Sequence, residues 1–340
     1  MPPRATPVLL AAAVAALAAA GCGLRGGRLA LLEENDVLNL GDGLGVDRDY
    51  TQGGALALTL ADADTPEWAG AAAEAVPLFA GGAPVHLGLL LGQEIYTPKH
   101  ILRPVPFPDD RPYAGWLHAG IALQSPVLDG DPERRWDRLD HLQIDLGVVG
   151  PASLAEPSQN AAHGILEIPK ARGWDTQLGN EPGLLATWES RWRVAAGGLG
   201  AGWGWDLLPR LQARAGNVRV DATAGATARV GWNLPRDFGP MPVDSHGLTA
   251  GSGPPRPWVA FSAGADGRGV LHDVFLDGST WGDGASVTPR GFVHTATLGI
   301  AAGRGPLSAS FSQVLVSPEF RERPRHHRYS RVLLSWAWFF

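Results

Sequence analysis

The sequence predicts an all-β fold: a transmembrane, antiparallel, up-and-down β-barrel of about 12 strands, with a short helix in an outer loop. Three observations predict it. The chain opens with an export segment, its apolar residues alternate over strands long enough to cross a membrane, and it ends on an aromatic strand that finishes at Phe340. Together these features indicate the outer membrane of a Gram-negative bacterium.

The composition excludes several other classes of protein. The chain has 340 residues, of which 45% are hydrophobic, and a formal net charge of −6. It is too apolar for a disordered chain and too polar for a helical membrane protein. The negative charge gives no sign of a nucleic-acid partner, and nothing in the sequence indicates an obligate protein partner.

Residues 1–21 form the predicted signal peptide. Arg4 supplies its positive charge, and the apolar run 7–20 is too short to span a bilayer. The end of this run also resembles a lipobox, which makes Cys22 a possible lipidation site. Because Cys22 is the only cysteine, no internal disulfide is expected. Residues 22–340 are predicted to form a single barrel domain.

The clearest strand runs from Val218 to Val230, where apolar residues alternate with Arg, Asp and Thr over 13 residues. Strands of soluble proteins usually have about 5–6 residues, whereas a membrane barrel strand needs about 9–11. Twelve comparable segments are predicted, an even number, as in bacterial single-chain barrels. They are 28–35, 50–60, 85–95, 114–124, 139–149, 185–196, 205–214, 218–230, 257–266, 291–302, 306–316 and 329–340.

The order of the strands predicts where the polar motifs meet. With both termini in the periplasm, the connections 36–49, 96–113 and 150–184 all lie at the outer face. These three connections hold the polar motifs described below, and such a concentration at one rim favours an enzyme over a passive pore. Residues 231–256 do not fit, because they would form a long periplasmic connection where short turns are expected.

The first motif lies at the hairpin of strands 1 and 2. Asn35 and Asp36 close strand 1 and Thr51 opens strand 2, so pairing of the two strands brings these residues together. Carboxylate and amide oxygens are the ligands that hard cations prefer. Asp36 and Asn35 are therefore candidate ligands for Ca²⁺, although an isolated Asn-Asp pair at a strand end is more often an Asx turn.

The second motif is a predicted short helix over residues 159–168, with Ser158 as its N-cap. A spacing of four places Gln159, His163 and Glu167 on one face. A histidine beside carboxylates and a cation site could act as a general base on water. Taken alone, such a segment is more often a surface helix with a solvated histidine.

Two arginines are candidate substrate-binding residues. Arg103 lies in the loop after strand 3, where it could meet a lipid phosphate, and Arg111 precedes strand 4. Arg111 follows two aspartates, so a salt-bridged strand entry is an equally good interpretation. Because nearly all basic residues of the chain are arginines, a single arginine is only a weak indication of a phosphate site.

In order along the chain, these motifs resemble those of the outer-membrane lipid A 3′-O-deacylase family. The motifs are Glu34-Asn35-Asp36, the segments 47–53 and 109–116, Gly150-Pro151, and the segments 159–163 and 173–177. The resemblance runs from about Leu29 through Trp174, and the barrel pattern extends it to Phe340. It implies a twelve-stranded barrel with its site at the outer leaflet and Ca²⁺-dependent hydrolysis of the 3′ ester of lipid A, with lipopolysaccharide as substrate.

The resemblance also implies a role for each matching residue. Asn35 and Asp36 match the family's Asn-Asp pair, and Thr51 matches its strand-2 threonine. Gln159 and His163 match its glutamine and histidine. His163 would deprotonate water, and Ca²⁺ held partly by Asp36 would stabilise the oxyanion. Gln159 would orient the substrate or the water, while Asn35 and Thr51 would complete the cation site or position the substrate.

The sequence departs from the family at two positions. The family's two adjacent basic residues after strand 3 are reduced to Arg103, between Leu102 and Pro104. Its acidic residue six positions after the histidine falls on Pro169. Glu167 is the candidate substitute for that residue, one turn along the predicted helix.

Two further classes of function stay open. A non-catalytic barrel, either a porin or a structural protein, is favoured by the altered acidic position. An outer-membrane phospholipase would also use Ca²⁺, but it works through a serine paired with a histidine. Only Ser153 and Ser158 lie near His163 in the sequence, which argues against a phospholipase.

Overall fold

The computed structural model describes residues 24–36, 48–77, 79, 83–127, 137–239, 256–282, 284–322 and 325–338. The predicted signal peptide, Cys22 and Phe340 lie outside these ranges. Within them the chain consists mainly of long antiparallel strands, with three short α-helices between them.

The described residues contain twelve strands, the number predicted from the sequence. They are β1 Gly27–Asn35, β2 Asp49–Leu60, β3 His86–Thr97, β4 Ala114–Val127, β5 Asp137–Val149, β6 Glu181–Arg193 with its continuation Ala195–Gly200, β7 Trp203–Gly216, β8 Arg219–Trp232, β9 Trp258–Asp273, β10 Phe292–Arg304, β11 Leu307–Val316 and β12 His327–Trp338. Strand β6 has two segments because its ladder breaks at Val194.

Helices lie only in the connections. They are α1 Glu67–Glu74, α2 Ala155–Leu166 and α3 Val274–Asp277, with 3₁₀ turns at Asp62–Asp64, Pro151–Ser153 and Trp174–Thr176. In the described ranges, no helix has the length and apolar character that a membrane crossing requires.

The sheet closes on itself through its first strand. Leu31 of β1 faces Leu56 of β2 on one side and Leu334 of β12 on the other. All neighbouring strands are antiparallel and consecutive in the chain, so the fold is an up-and-down barrel without a free edge. The predicted fold is confirmed. We take the end with residues 24 and 338 as periplasmic, because the opposite end carries the longer connections.

Strand β5 shows how side chains alternate across the wall. Ile144 and Leu146 point outward and are 42% and 63% exposed. Gln143 and Asp145 point into the lumen and are fully buried. Apolar side chains therefore face the lipid, while polar side chains face one another inside the barrel.

Ion pairs fill the lumen. Arg219 donates to Glu94 at 2.9 Å, and Arg214 donates to both carboxylate oxygens of Asp221, at 2.9 and 2.6 Å. A buried charge is costly unless it is paired, so these contacts explain how the lumen can be packed with charged residues. A cavity of about 170 Å³ is left between them.

The long connection after β8 has a structural role that the sequence did not predict. Its residues 233–239, which we call the lumen plug, fold back into the periplasmic end of the barrel. Phe238 is 2% exposed and packs against Leu139 and Leu208, which point inward from β5 and β7. The rest of the predicted long connection lies outside the described residues.

Charged groups hold the lumen plug against the wall. Arg236 donates to the two carboxylate oxygens of Asp137 at 2.9 and 2.7 Å, and Asp237 pairs with Arg229 of β8. Because Asp137 begins β5 and Arg229 lies near the end of β8, the plug narrows the periplasmic mouth of the lumen.

Candidate active site

The rim of the first hairpin brings Asp36 and Thr51 together, as predicted. The backbone N–H of Asp36 donates to the carbonyl oxygen of Thr51 at 3.2 Å. The Asp36 carboxylate accepts a hydrogen bond from the backbone N–H of Arg48 at 2.9 Å, and the residue is 4% exposed. A carboxylate is thus fixed by the backbone at the outer end of β1.

Asn35 lies one residue before Asp36 and faces the outside of the barrel. Its Nδ2 lies 3.5 Å from Glu33 Oε1, and Gln52 Nε2 donates to the same oxygen at 3.0 Å. These oxygen-bearing side chains suit a hard cation. Among the described residues, no three His, Cys, Asp or Glu side chains are grouped to hold a metal.

Two strand positions that should face lipid are buried. Ile95 and Thr97 point outward from β3, because Glu94 and Tyr96 beside them line the lumen. They are nevertheless 1% and 0% exposed. The hydroxyl of Thr97 lies 2.6 Å from the hydroxyl of Thr51. The burial of this outward patch shows that another part of the chain covers it.

Helix α2 and the loop residues packed with it cover Ile95. A Cβ atom at Gly115 on β4 would lie 2.2 Å from Ala155 Cβ and 2.3 Å from Ser153 Oγ, so only glycine permits so close an approach. Gln93 Nε2 donates to the Ser153 carbonyl at 2.6 Å and fixes the turn before the helix. The candidate site therefore lies outside the barrel, between its wall and α2.

The predicted start of this helix is wrong. The helix begins at Ala155, after Leu154 in a left-handed conformation with φ of 60°, and Ser158 lies within it rather than capping it. Pro157 is tolerated because N–H groups in the first turn have no acceptor within the helix. The early start is set by the fit of Ala155 onto the wall, which is not visible in the local pattern.

The buried face of α2 carries Gln159 and His163, which are 1% and 3% exposed. Trp174 Nε1 donates to Gln159 Oε1 at 2.8 Å, which fixes the amide; the Gln159 Nε2 has no hydrogen-bond partner in the described part of the chain. His163 Nδ1 lies 2.7 Å from the carbonyl oxygen of Pro169. Because a carbonyl only accepts, Nδ1 carries the proton, and in the neutral ring the lone pair is on Nε2.

The partner of His163 lies at the position where the family's acidic residue is missing. The backbone carbonyl of Pro169, and not a carboxylate, accepts the hydrogen bond from His163. Glu167 does not share the face of His163: the helix ends at Leu166, and Glu167 follows it, exposed, with φ of 57°. The N–H of Ile168 donates to the His163 carbonyl at 3.0 Å, so the chain turns back towards the ring.

The two candidate arginines differ. Arg103 is exposed, with its guanidinium 4.0 Å from the centre of the Phe107 ring. Arg111 is 1% exposed, lies inside the barrel over Tyr96, and donates to Glu319 at 3.3 Å. A lipid phosphate cannot reach it, so the prediction that Arg111 binds substrate is wrong. Arg111 is salt-bridged, as the alternative interpretation held, but to Glu319 of a distant loop.

Glu319, in the outer loop after β11, connects this loop to the lumen. Burial alone would raise its pKa, but His327, Arg111 and Arg268 surround it and hold the pKa at about 2, below the usual 4.5. Arg268 donates to it at 3.1 Å. The carboxylate is therefore ionised at neutral pH and belongs to the lumen network.

No role is predicted from the sequence for Tyr113 and Trp174, although both belong to the quoted motifs. Their ring centres are 4.9 Å apart, and both are buried in one cluster with Ile95 and Ala155 beneath α2. Large aromatic rings within polar loop motifs could have signalled a buried contact, because such rings stabilise a fold mainly by burial.

The sequence matches the family described as outer membrane protein LpxR over residues 7–338. LpxR from Salmonella typhimurium superposes with a TM-score of 0.72 at 24% identity, covering 92% of this chain and 100% of that chain. The KdgM porin (TM-score 0.38, 5% identity, 92% and 99% covered) and the β domain of the Bordetella autotransporter BrkA (0.44, 11%, 93% and 99%) are too dissimilar to carry an argument.

A comparison with curated protein sequences finds no significant match. The family match nevertheless spans nearly the whole chain, and the superposition on LpxR independently supports the same barrel. The chain belongs to the LpxR family of outer membrane proteins.

Proposed function

We propose that the protein is a lipid A deacylase, a carboxylic ester hydrolase that removes the ester-linked 3′ acyl (acyloxyacyl) chain of lipid A in the outer leaflet. Membership of the LpxR family supports the deacylase class. The observation that carries the proposal is the hydrogen bond from His163 Nδ1 to the Pro169 carbonyl at 2.7 Å. It directs the lone pair of a buried histidine to Nε2, on the membrane-facing side of the barrel wall.

The position of the site suits a lipid substrate. Helix α2 covers the outward face of β3 and β4 near the outer end, whereas the lumen is occupied by ion pairs. An ester close to the sugar of an outer-leaflet glycolipid lies at about this level of the membrane. Such a substrate would enter sideways from the leaflet without crossing the lumen.

His163 is the proposed general base. Nε2 removes a proton from water while the water oxygen attacks the ester carbonyl carbon, and the imidazolium then returns the proton to the departing sugar oxygen as the C–O bond breaks. The products are a free fatty acid and a glycolipid with a free hydroxyl. General-base catalysis of this kind contributes about 10²–10⁴-fold in rate.

The negative charge that develops on the ester oxygen needs donors. Gln159 Nε2 is buried without a partner in the described residues, and its amide is held by Trp174, so it is a preorganised donor for this oxygen. Asp36 and Asn35 would hold a Ca²⁺ ion, which when bound supplies electrostatic stabilisation of negative charge. Thr51, held against Thr97, would position the substrate beside them.

The porin alternative is disfavoured by the lumen. The lumen plug occupies the periplasmic end, and buried ion pairs such as Arg219–Glu94 fill the interior above it. A passive pore needs a continuous aqueous path, which this packing opposes.

The phospholipase alternative is disfavoured by the geometry around His163. Ser153 is fully buried, and its hydroxyl has no hydrogen-bond partner among the described residues. A serine nucleophile requires hydrogen bonding to its base. Activity that survives serine-directed inhibitors would favour water as the nucleophile.

The direct test is mass spectrometry of lipid A from cells that express the protein, with Ca²⁺ and with a chelator. We expect loss of one acyloxyacyl mass only with Ca²⁺, and no loss for Asp36→Ala at the same Ca²⁺ concentration. Unchanged lipid A from a barrel that is folded in the outer membrane would overturn the proposal.

A further inference from the structure

The outward face of the barrel differs sharply between its two sides near the outer rim. On β5 to β8, the first two outward side chains at this end are all apolar. They are Val148, Leu146, Pro182, Leu184, Ala215, Ala213, Val220 and Ala222. On β11 to β2, across the barrel closure, the corresponding positions include polar side chains. They are Gln313, Arg328, Ser330, Asn35, Glu33 and Gln52.

The strand registers make these polar residues neighbours. Gln313 is paired with Ser330, Ser330 with Asn35, and Asn35 with Gln52. We call these four residues, with Glu33, the polar strip. All lie on the outward side of the wall, because residues beside them, such as Glu34, Arg331 and Val314, line the lumen. Ser330 is fully buried there, and the other four are half-buried.

Hydrogen bonds organise the strip from within. Gln313 Nε2 donates to the Ser330 hydroxyl, and Gln52 Nε2 donates to Glu33 at 3.0 Å. A carboxylate on the lipid-facing side of a barrel brings no packing advantage and is normally avoided. Ionisable groups in such positions usually mark a functional surface, and this one is continuous with Asn35 of the candidate site.

A basic group lies at the outer edge of the strip. Arg328 is exposed, lies one outward position above Ser330, and is a diagonal neighbour of Asn35, so their Cα atoms are roughly 7–8 Å apart. His294, near the outer end of β10, and His326, directly before β12, are also exposed. Their ring centres are 5.8 Å apart. Arginine presents a planar fork of donors that matches phosphate oxygens.

We propose that Arg328, with His294 and His326 beside it, binds a phosphate group of the glycolipid substrate, while the half-buried members of the polar strip hydrogen-bond the sugar next to it. These members are Asn35, Glu33, Gln52 and Gln313. This inference rests on the proposed function and names the feature of the substrate that the site recognises. The substrate would then contact the barrel at two places. Helix α2, which carries His163 and packs on β3 and β4, would contact the ester, and the phosphate site on β10–β12 would contact the phosphate.

The experiment measures binding separately from hydrolysis. The His163→Ala protein in detergent is titrated with lipid A carrying both phosphates and with the same lipid A after enzymatic removal of the phosphates, and complexes are counted by native mass spectrometry. We expect the phosphorylated form to bind about tenfold more tightly, since a charge-assisted hydrogen-bonded contact has this effect. Adding Arg328→Gln should abolish most of that difference.

Arg304→Gln is the matched control. Arg304 is an exposed arginine at the periplasmic end of β10, so its replacement should leave the preference for phosphorylated lipid A unchanged. Heat-modifiable migration on gels confirms that each variant is folded. Equal preference in the Arg328 and Arg304 variants would refute the phosphate site.

Failure of the proposed function is a different result. If cellular lipid A is never deacylated but the Arg328-dependent preference persists, the binding site stands and the deacylase proposal falls. If deacylation occurs and Arg328→Gln changes neither binding nor KM, the phosphate site alone is wrong.

Discussion

Polar groups are paired in the lumen, whereas at the candidate site a buried polar group is held in place with one donor left unpaired among the described residues. In the lumen, acidic side chains meet arginines, as in Glu94–Arg219 and Asp221–Arg214. At the candidate site, the Gln159 amide is held at its oxygen, while its nitrogen has no partner among the described residues. Paired groups stabilise a fold, whereas a buried donor held in place without a partner is available to a substrate. Changes in the lumen should therefore affect stability, and changes at the site should affect activity.

The largest effect is expected for His163→Ala. Removing the proposed general base should lower the rate of lipid A deacylation by about 10²–10⁴-fold without changing barrel stability. The measurement is the initial rate of fatty-acid release from purified lipid A. His86→Gln is the control, because His86 lies at the periplasmic end beside Asp62 and should keep full activity. Equal rates for the two variants would remove His163 from the mechanism.

Gly115→Val tests whether α2 must lie against the wall. The added side chain would meet Ala155 and Ser153 and push the helix outward. A displacement of about 1 Å can cost about 10²-fold in rate, so activity should fall strongly while the barrel remains folded. Gly198→Ala is the control, since a Cβ there meets nothing within 4 Å. Full activity of the valine variant would show that helix contact is unnecessary.

Phe238→Ala tests whether the buried contacts of the lumen stabilise the barrel. Loss of this buried ring should destabilise the barrel by about 3–5 kcal/mol and loosen the lumen plug, measured as unfolding in denaturant and as new conductance in planar bilayers. Deacylation should be unaffected. Phe261→Ala, at an outward position that is 45% exposed, should change neither measurement. A Phe238 variant with unchanged stability and no new conductance would show that the lumen plug does not seal the barrel.

Glu319→Gln should have the smallest effect, a loss of unfolding free energy that depends on pH. The folded pKa of about 2 lies below the usual 4.5, so the stabilisation by Glu319 is complete above pH 4.5 and is lost as the pH falls towards 2. The free energy of unfolding of the wild type should exceed that of the variant by on the order of 3 kcal/mol at neutral pH, and this difference should vanish near pH 2. Glu67→Gln on exposed α1 should show no such convergence, and a constant difference at every pH would contradict this assignment.

Much of the fold could be predicted because its signal is local. Alternation along each strand gives the number of strands, and the order of strands places the hairpin of Asp36 and Thr51 at the outer rim. Helix α2 is predicted but misplaced, because its start depends on contact with Gly115. Arg111 is a candidate substrate-binding residue from the sequence, since nothing in its local sequence shows that its side chain turns into the lumen.

The alternation and order of segments along the chain are enough to predict a closed twelve-stranded barrel and the residues that gather at its outer end. A strand with a period of two must place alternate side chains on opposite faces, and an even number of such strands can close a sheet without an edge. The contact of Pro169 with His163 and the entry of residues 233–239 into the lumen follow from tertiary contacts alone. The first contact uses a backbone carbonyl, which every residue has, and the second joins distant segments of the chain, so neither leaves a local trace in the side-chain pattern.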